Sequence, residues 1–233
     1  MTVATNARIA GFTFLFYIVA GIASLILFAQ ATGGEGIPAK LASIGENERS
    51  VRITVVLGLL QSFSALVLAV TLYAITRQQD RDIAMLVLTC RVAEGIGGTS
   101  VPGALGLLWL AGPSGADAAR TGAGDALGAF LFKMGGWSPS AIFFAVGSTL
   151  MCWLLLRGRM IPAALAWPGL LASALLVVIL PLQHSGLLGQ VSWLGIVTWL
   201  MWLPMLVFEI ALALWLLIKG VASQAPEMGS VLP

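Results

Sequence analysis

Apolar residues recur along this chain in runs of about 20, the length an α-helix needs to cross a hydrocarbon core about 30 Å thick. The runs lie at 9–30, 51–76, 83–111, 138–156, 162–183 and 193–218, with polar turns between them. This pattern predicts an all-α, polytopic integral membrane helical bundle with about six transmembrane helices plus short interfacial helices, because a helix satisfies all its backbone hydrogen bonds internally. The whole of 1–233 reads as a single membrane domain.

The intervals refine the picture. Segment 32–50 is polar, but Pro38 is placed to open a helix and Leu41 and Ile44 fall on one side of it, so a short surface helix is expected there. The third run would be about 43 Å long as one straight helix, so it should break. GIGGTSVPG at 95–103 is the expected place, since Pro102 leaves the carbonyl of Gly98 without its usual partner. Segment 112–137 is rich in Gly, Ala and Asp, and its apolar part, 126–134, is too short to span; it reads as interfacial or re-entrant rather than a crossing. The first run ends in Ala29-Gln30-Ala31, the small-x-small form of a signal-peptidase site. A cleaved signal is the alternative there, but the run exceeds the about 7 to 15 residues of a signal's apolar region, and the reading kept is a spanning helix.

Composition agrees with lipid as the solvent: 59% of residues are hydrophobic and 9% are charged, against about 25% charged in an average soluble domain. A net charge of +2, spread along the chain, lacks the concentrated basic stripe of a nucleic-acid binder, so no nucleic-acid partner is expected. Cys90 and Cys152 both lie in apolar runs and read as small buried hydrophobes rather than a disulfide framework or a metal site. Orientation follows from Lys and Arg, which concentrate in cytoplasmic loops. Arg8, Arg77, Arg81, Arg157, Arg159 and Lys219 fall on one side; Lys40, Arg49, Arg52, Arg120 and Lys133 fall on the other. The first set sits in much shorter segments and the loop 185–192 has no charge, so charge density places both termini in the cytoplasm.

Four stretches carry a family resemblance: RIAGFTFLFYIVAGI in the first span, RVAEG at 91–95, IFFAVGSTLMCWLLLRGRMIP through the fourth span and its turn, and FEIALALWLLIKG at the end of the sixth. In their order and spacing they resemble the uncharacterised bacterial membrane family catalogued as domain of unknown function 4386. The resemblance implies a multi-pass protein of the bacterial inner (plasma) membrane with no assigned activity. The Gly- and Asp-bearing loop before Trp137 lies outside the quoted motifs, and nothing is transferred to it.

Three charged residues stand inside the predicted spans: Arg91 and Glu94 in the third and Glu209 in the sixth. Each would cost several kcal/mol, of the order of about 3, if it faced lipid. They are therefore expected to face inward or to be paired. Arg91 and Glu94 are three residues apart and share a helix face. Counting 1.5 Å per residue from the charges that end each span, Glu94 lies about 18 Å from Asp82 and Glu209 about 15 Å from Lys219. The same count puts Tyr17, Ser148, Thr149 and Ser173 near that depth and Arg91 one turn nearer the cytoplasm. A polar layer near the membrane midplane follows.

Two readings of that layer stand side by side. In one it binds a small polar ligand or relays a proton, as ionisable groups in a bundle core commonly mark transport pathways. In the other it is a lock, Arg91 tying the third and sixth helices together through Glu94 and Glu209. Two carboxylates against one guanidinium leave a surplus negative charge, which favours a proton on one Glu or a bound cation. The rival functions are an accessory or scaffold subunit and an intramembrane enzyme; an enzyme is the less favoured, and no residue stands out as catalytic. Pro204, five residues before Glu209, is placed to kink the sixth span beside it. The single histidine, His184, sits at a span end and reads as interfacial; alone it cannot supply paired haem ligands, and no di-metal motif accompanies it, so neither a cofactor nor a metal is expected. Trp137, Trp167, Trp193 and Trp215 fall near span ends, as interfacial anchors do, while Trp199 and Trp202 lie deeper. GIGG at 95–98 has no strand before it and no Lys-Ser/Thr after it, so it reads as close helix packing rather than a phosphate cradle.

Overall fold

A computed structural model of the chain describes residues 1–115, 122–134, 140–185 and 194–222, with the side chains of 114, 134 and 194–201 outside the description. Among the described residues the α-helices are α1 (Val3–Ala31), α2 (Gly36–Glu46), α3 (Glu48–Thr76), α4 (Arg81–Gly97), α5 (Val101–Ala111), α6 (Ala123–Met134), α7 (Ser140–Arg157), α8 (Ala163–His184) and α9 (Leu194–Ile218). Five stretches, α1, α3, α4 with α5, α7 and α8, are long and apolar enough to cross a membrane. At 25 residues α9 is also beyond the about 20 that a crossing needs. The molecule is a helical membrane bundle.

Local chemistry sets the helix ends. The Thr2 hydroxyl accepts from the Thr5 amide at 3.1 Å and opens α1. Asp80 accepts from the Ile83 amide at 3.1 Å and opens α4, satisfying an amide that the first turn otherwise leaves unpaired. The third run does break: α4 ends at Gly97, α5 begins at Val101, and Pro102 sits in the first turn of α5, where its missing N–H costs nothing. The surface helix around Pro38 is α2, and its Leu41 and Ile44 are buried. Segment 123–134 is the 12-residue α6, too short to cross, packed against α2 and α5. Ala29–Ala31, the small-x-small triplet, forms the last turn of α1, with Ala31 buried. Helix α9 runs through Pro204. Trp137, Trp193 and Arg120 lie outside the described residues, as do loop 186–193 and the side chain of Trp199.

The long helices close into a ring. Helix α1 lies against α3, α3 against α4, α4 against α7, α7 against α8, α8 against α9, and α9 returns to α1. Where two of them approach most closely, only glycine fits. A Cβ on Gly11 would stand 2.6 Å from the Ala213 carbonyl oxygen of α9, the small-residue contact by which membrane helices pack. Two apolar clusters result. The larger joins α1, α3, α4, α7, α8 and α9. The smaller joins the ends of α1 and α3 to α2, α5 and α6, so the short helices cap one end of the ring. The start of α1 and the described residues that follow α9 lie at the other end, where the Ala222 amide donates to the Met160 carbonyl at 3.0 Å.

A buried charged cluster as candidate functional site

Helix α4 presents Arg91 and Glu94 on one face, and the ring turns that face inward: Arg91 is 2% exposed and Glu94 5%. The guanidinium Nη1 donates to Glu94 Oε2 at 2.9 Å, one turn along the same helix. Helix α7 supplies the next partner. Gly147 allows α7 to approach α4 closely, a Cβ there lying 3.0 Å from that of Cys90. This brings the adjacent Ser148 within reach, and Arg91 Nη2 donates to its hydroxyl at 2.8 Å.

Helices α1 and α9 close the cluster. The Tyr17 hydroxyl donates to Glu94 Oε1 at 3.2 Å, so both oxygens of Glu94 accept a hydrogen bond. Glu209, 7% exposed, faces Arg91 from α9 with its Oε1 3.7 Å from Nη2, an ion-pair contact beyond hydrogen-bond range. The rings of Phe14 and Phe144 lie 5.6 Å and 5.0 Å from the guanidinium carbon, within the about 6 Å of a cation–π contact. Trp202, half-buried, sets its ring 5.4 Å from that of Phe144 and tilted by 34° to it. Arg91 Nε is buried with no hydrogen-bond partner among the described residues.

Of the seven residues expected in the polar layer, five therefore meet: Tyr17, Arg91, Glu94, Ser148 and Glu209. Thr149 and Ser173 turn their hydroxyls to their own helices, donating to the carbonyls of Ala145 at 2.8 Å and Gly169 at 2.7 Å. Depth alone could not separate them from the rest. Sequence reasoning passed over Phe14, three residues from Tyr17, and Phe144, four from Ser148, although those spacings put each aromatic on the face of its partner. It also passed over Gln61, a carboxamide deep in the second apolar run, whose Nε2 donates to the Tyr17 carbonyl at 3.3 Å. Pairing of the other expected features is simpler. Cys152 is a buried member of the larger apolar cluster and Cys90 is half-buried. His184 is exposed, its Nδ1 hydrogen-bonded with the Leu180 carbonyl at 2.8 Å. Among the described residues no group of three or more His, Cys, Asp or Glu stands together as a metal site. A cleft of about 420 Å³ lies elsewhere, where α2, α3 and α5 meet, lined by Glu48, Arg52 and Trp109 among others.

The model of the family described as Domain of unknown function (DUF4386) matches residues 9–220. The chain belongs to this family. The match begins within α1 and ends just past α9, so every residue of the charged cluster lies inside the DUF4386 match. No curated protein and no solved structure matches the chain.

Proposed function

We propose that this membrane protein binds and moves a proton, or a small polar ligand coupled to one, at the cluster of Tyr17, Arg91, Glu94, Ser148 and Glu209. The observation that carries the reading is the unequal treatment of the two carboxylates. Glu94 takes the short contact to Arg91 and a second donor from Tyr17, and Ser148 takes the other terminal nitrogen at 2.8 Å. Glu209 is left with a 3.7 Å contact. One guanidinium neutralises one carboxylate, and a second buried carboxylate without a hydrogen-bonding cation is stabilised by taking up a proton. The lipid bilayer is the partner that surrounds the site. We place the protein in the bacterial inner membrane with both termini cytoplasmic, on the charge density of the connecting segments.

The test is proton movement in liposomes holding the purified protein and a pH-sensitive dye, under an imposed membrane potential. The wild-type chain should acidify or alkalinise the lumen according to the sign of the potential, and Glu209→Gln should abolish the signal while eluting as a folded protein. Unchanged flux in Glu209→Gln would remove Glu209 from the reading. The lock alternative draws on the same contacts, since Arg91 bridges α4, α7 and α9. It predicts no flux in either protein.

A further inference from the structure

We infer that the charged cluster is reached from one end of the bundle only, the end where the third span breaks, and is sealed from the opposite end, where α1 starts and α9 stops. The inference rests on the proposed function and adds the route by which a proton or polar ligand arrives.

The seal is apolar and continuous. On that opposite side of Arg91, α3 contributes Leu68 and Leu72, α4 contributes Val87, α7 contributes Met151 and Leu155, and α9 contributes Leu212, each no more than 2% exposed. Below them the turn after α7 buries Met160 and Ile161 and is tied to the C-terminal segment through the Ala222 amide. Thr71 and Thr76 are buried in this slab, but their hydroxyls donate to the carbonyls of Val67 at 2.9 Å and Leu72 at 2.8 Å and carry nothing onward. Among the described residues the other buried polar side chains on that side, Asn6 and Thr13 on α1, are about 10 Å apart along the helix, too far for a hydrogen bond to pass between them.

Polar groups continue in the opposite direction. From Glu94 the contacts run to the Tyr17 hydroxyl, and the Tyr17 carbonyl accepts from Gln61 at 3.3 Å. The next residue, Ser62, is half-buried and donates to the Gly58 carbonyl at 3.1 Å. Gly58 faces the break itself: a Cβ there would lie 3.7 Å from the Ser100 hydroxyl and 3.9 Å from that of Thr99. Gln61, Ser62 and Thr99 are half-buried, and Gly98 and Ser100 are exposed. Gly98, which caps α4 and opens the break, is four residues beyond Glu94, about 6 Å along the axis, and so still within hydrocarbon depth. Irregular backbone at that depth is tolerated only inside protein or against water, so exposed backbone and hydroxyls there mark a water-lined entrance.

Thiol labelling tests the route. In a chain with Cys90→Ala and Cys152→Ala, single cysteines are introduced as Gln61→Cys or Ser100→Cys on the polar side and as Leu72→Cys or Val87→Cys in the seal. Each protein that elutes as folded in lipid nanodiscs, where both faces meet water, is treated with a charged, membrane-impermeant methanethiosulfonate. The polar-side cysteines should react faster by on the order of ten-fold or more, because the reaction needs a hydrated thiolate. Equal rates at Gln61→Cys and either seal position, or an inert Gln61→Cys, would overturn the inference. The labelling pattern does not depend on proton uptake: the expected pattern in a chain that moves no proton refutes the proton reading and leaves the route standing.

Discussion

Arg91 is the residue on which most of the interior depends, since its guanidinium meets Glu94, Ser148, Glu209 and two aromatic rings. Arg91→Ala leaves two carboxylates buried against each other, and removing one member of a buried ion pair costs about 3 to 5 kcal/mol. Folded yield and thermal stability of that variant should fall sharply. The charge-balanced Arg91→Leu with Glu209→Leu should recover both, and the two substitutions should be coupled in a double-mutant cycle. Simple additivity would mean that Arg91 and Glu209 do not interact. Tyr17→Phe removes one of two donors to Glu94 and should cost about 1 kcal/mol, read as a modest drop in thermal stability with the fold kept. Counting 1.5 Å per residue from the span ends found the level of the cluster, but level is one coordinate of three. Thr149 follows Ser148 and is turned about 100° from it around the axis; its hydroxyl stays on α7. Facing direction is fixed by neighbouring helices, and for Ser173 on α8 those are α7 and α9. The aromatic cover of Arg91 was concealed for a different reason: in a chain of this composition, phenylalanines facing lipid and phenylalanines facing a cation look alike.

At the scale of elements, the turn chemistry was the most legible part. Four glycines and Pro102 in 95–103 marked the break between α4 and α5, and Pro38 with Leu41 and Ile44 marked α2, because glycine and proline act on the backbone directly whatever surrounds them. The turn after α7, with Gly158 and Pro162, was legible too, but not which residue turns left-handed. It closes with Arg159 in the left-handed region, φ 47°, while the Met160 amide donates to the Leu155 carbonyl and the Arg159 amide to that of Leu156, both at 3.0 Å. This is the glycine-favouring helix stop occupied by an arginine. Left-handed backbone costs an L side chain about 1 to 2 kcal/mol, so Arg159→Gly should stabilise the folded protein by about 1 kcal/mol in a thermal melt, less whatever the exposed charge contributes. The mirror case is Gly220, φ 73° after α9, where Gly220→Ala should cost about 1 kcal/mol.

For the whole molecule, the hydrophobic runs made an all-helical membrane bundle legible because the bilayer leaves so few alternatives. They did not give the ring in which those helices pack, which depends on close contacts such as Gly11 on α9 and Gly147 on α4. Gly11→Leu should therefore disrupt the α1–α9 seam and lower folded yield, since overpacking costs about 1 to 3 kcal/mol. The ring also puts residues 1–8, 77–80, 158–162 and 219–222 at one end. Reporter fusions at the C terminus and labelling of the turn at 77–80 should place both inside; external labelling of that turn would reverse the orientation.

The claim at the centre is that Glu209 is the proton-binding carboxyl of the cluster. Infrared difference spectroscopy of the protein in lipid nanodiscs, stepped between acid and alkaline buffer, reads protonated carboxyl groups directly through their C=O stretch. The account predicts a buried-carboxyl band that persists in Glu94→Gln and is absent in Glu209→Gln. A band that survives Glu209→Gln, or no buried-carboxyl band in the wild-type protein at any pH, would contradict it.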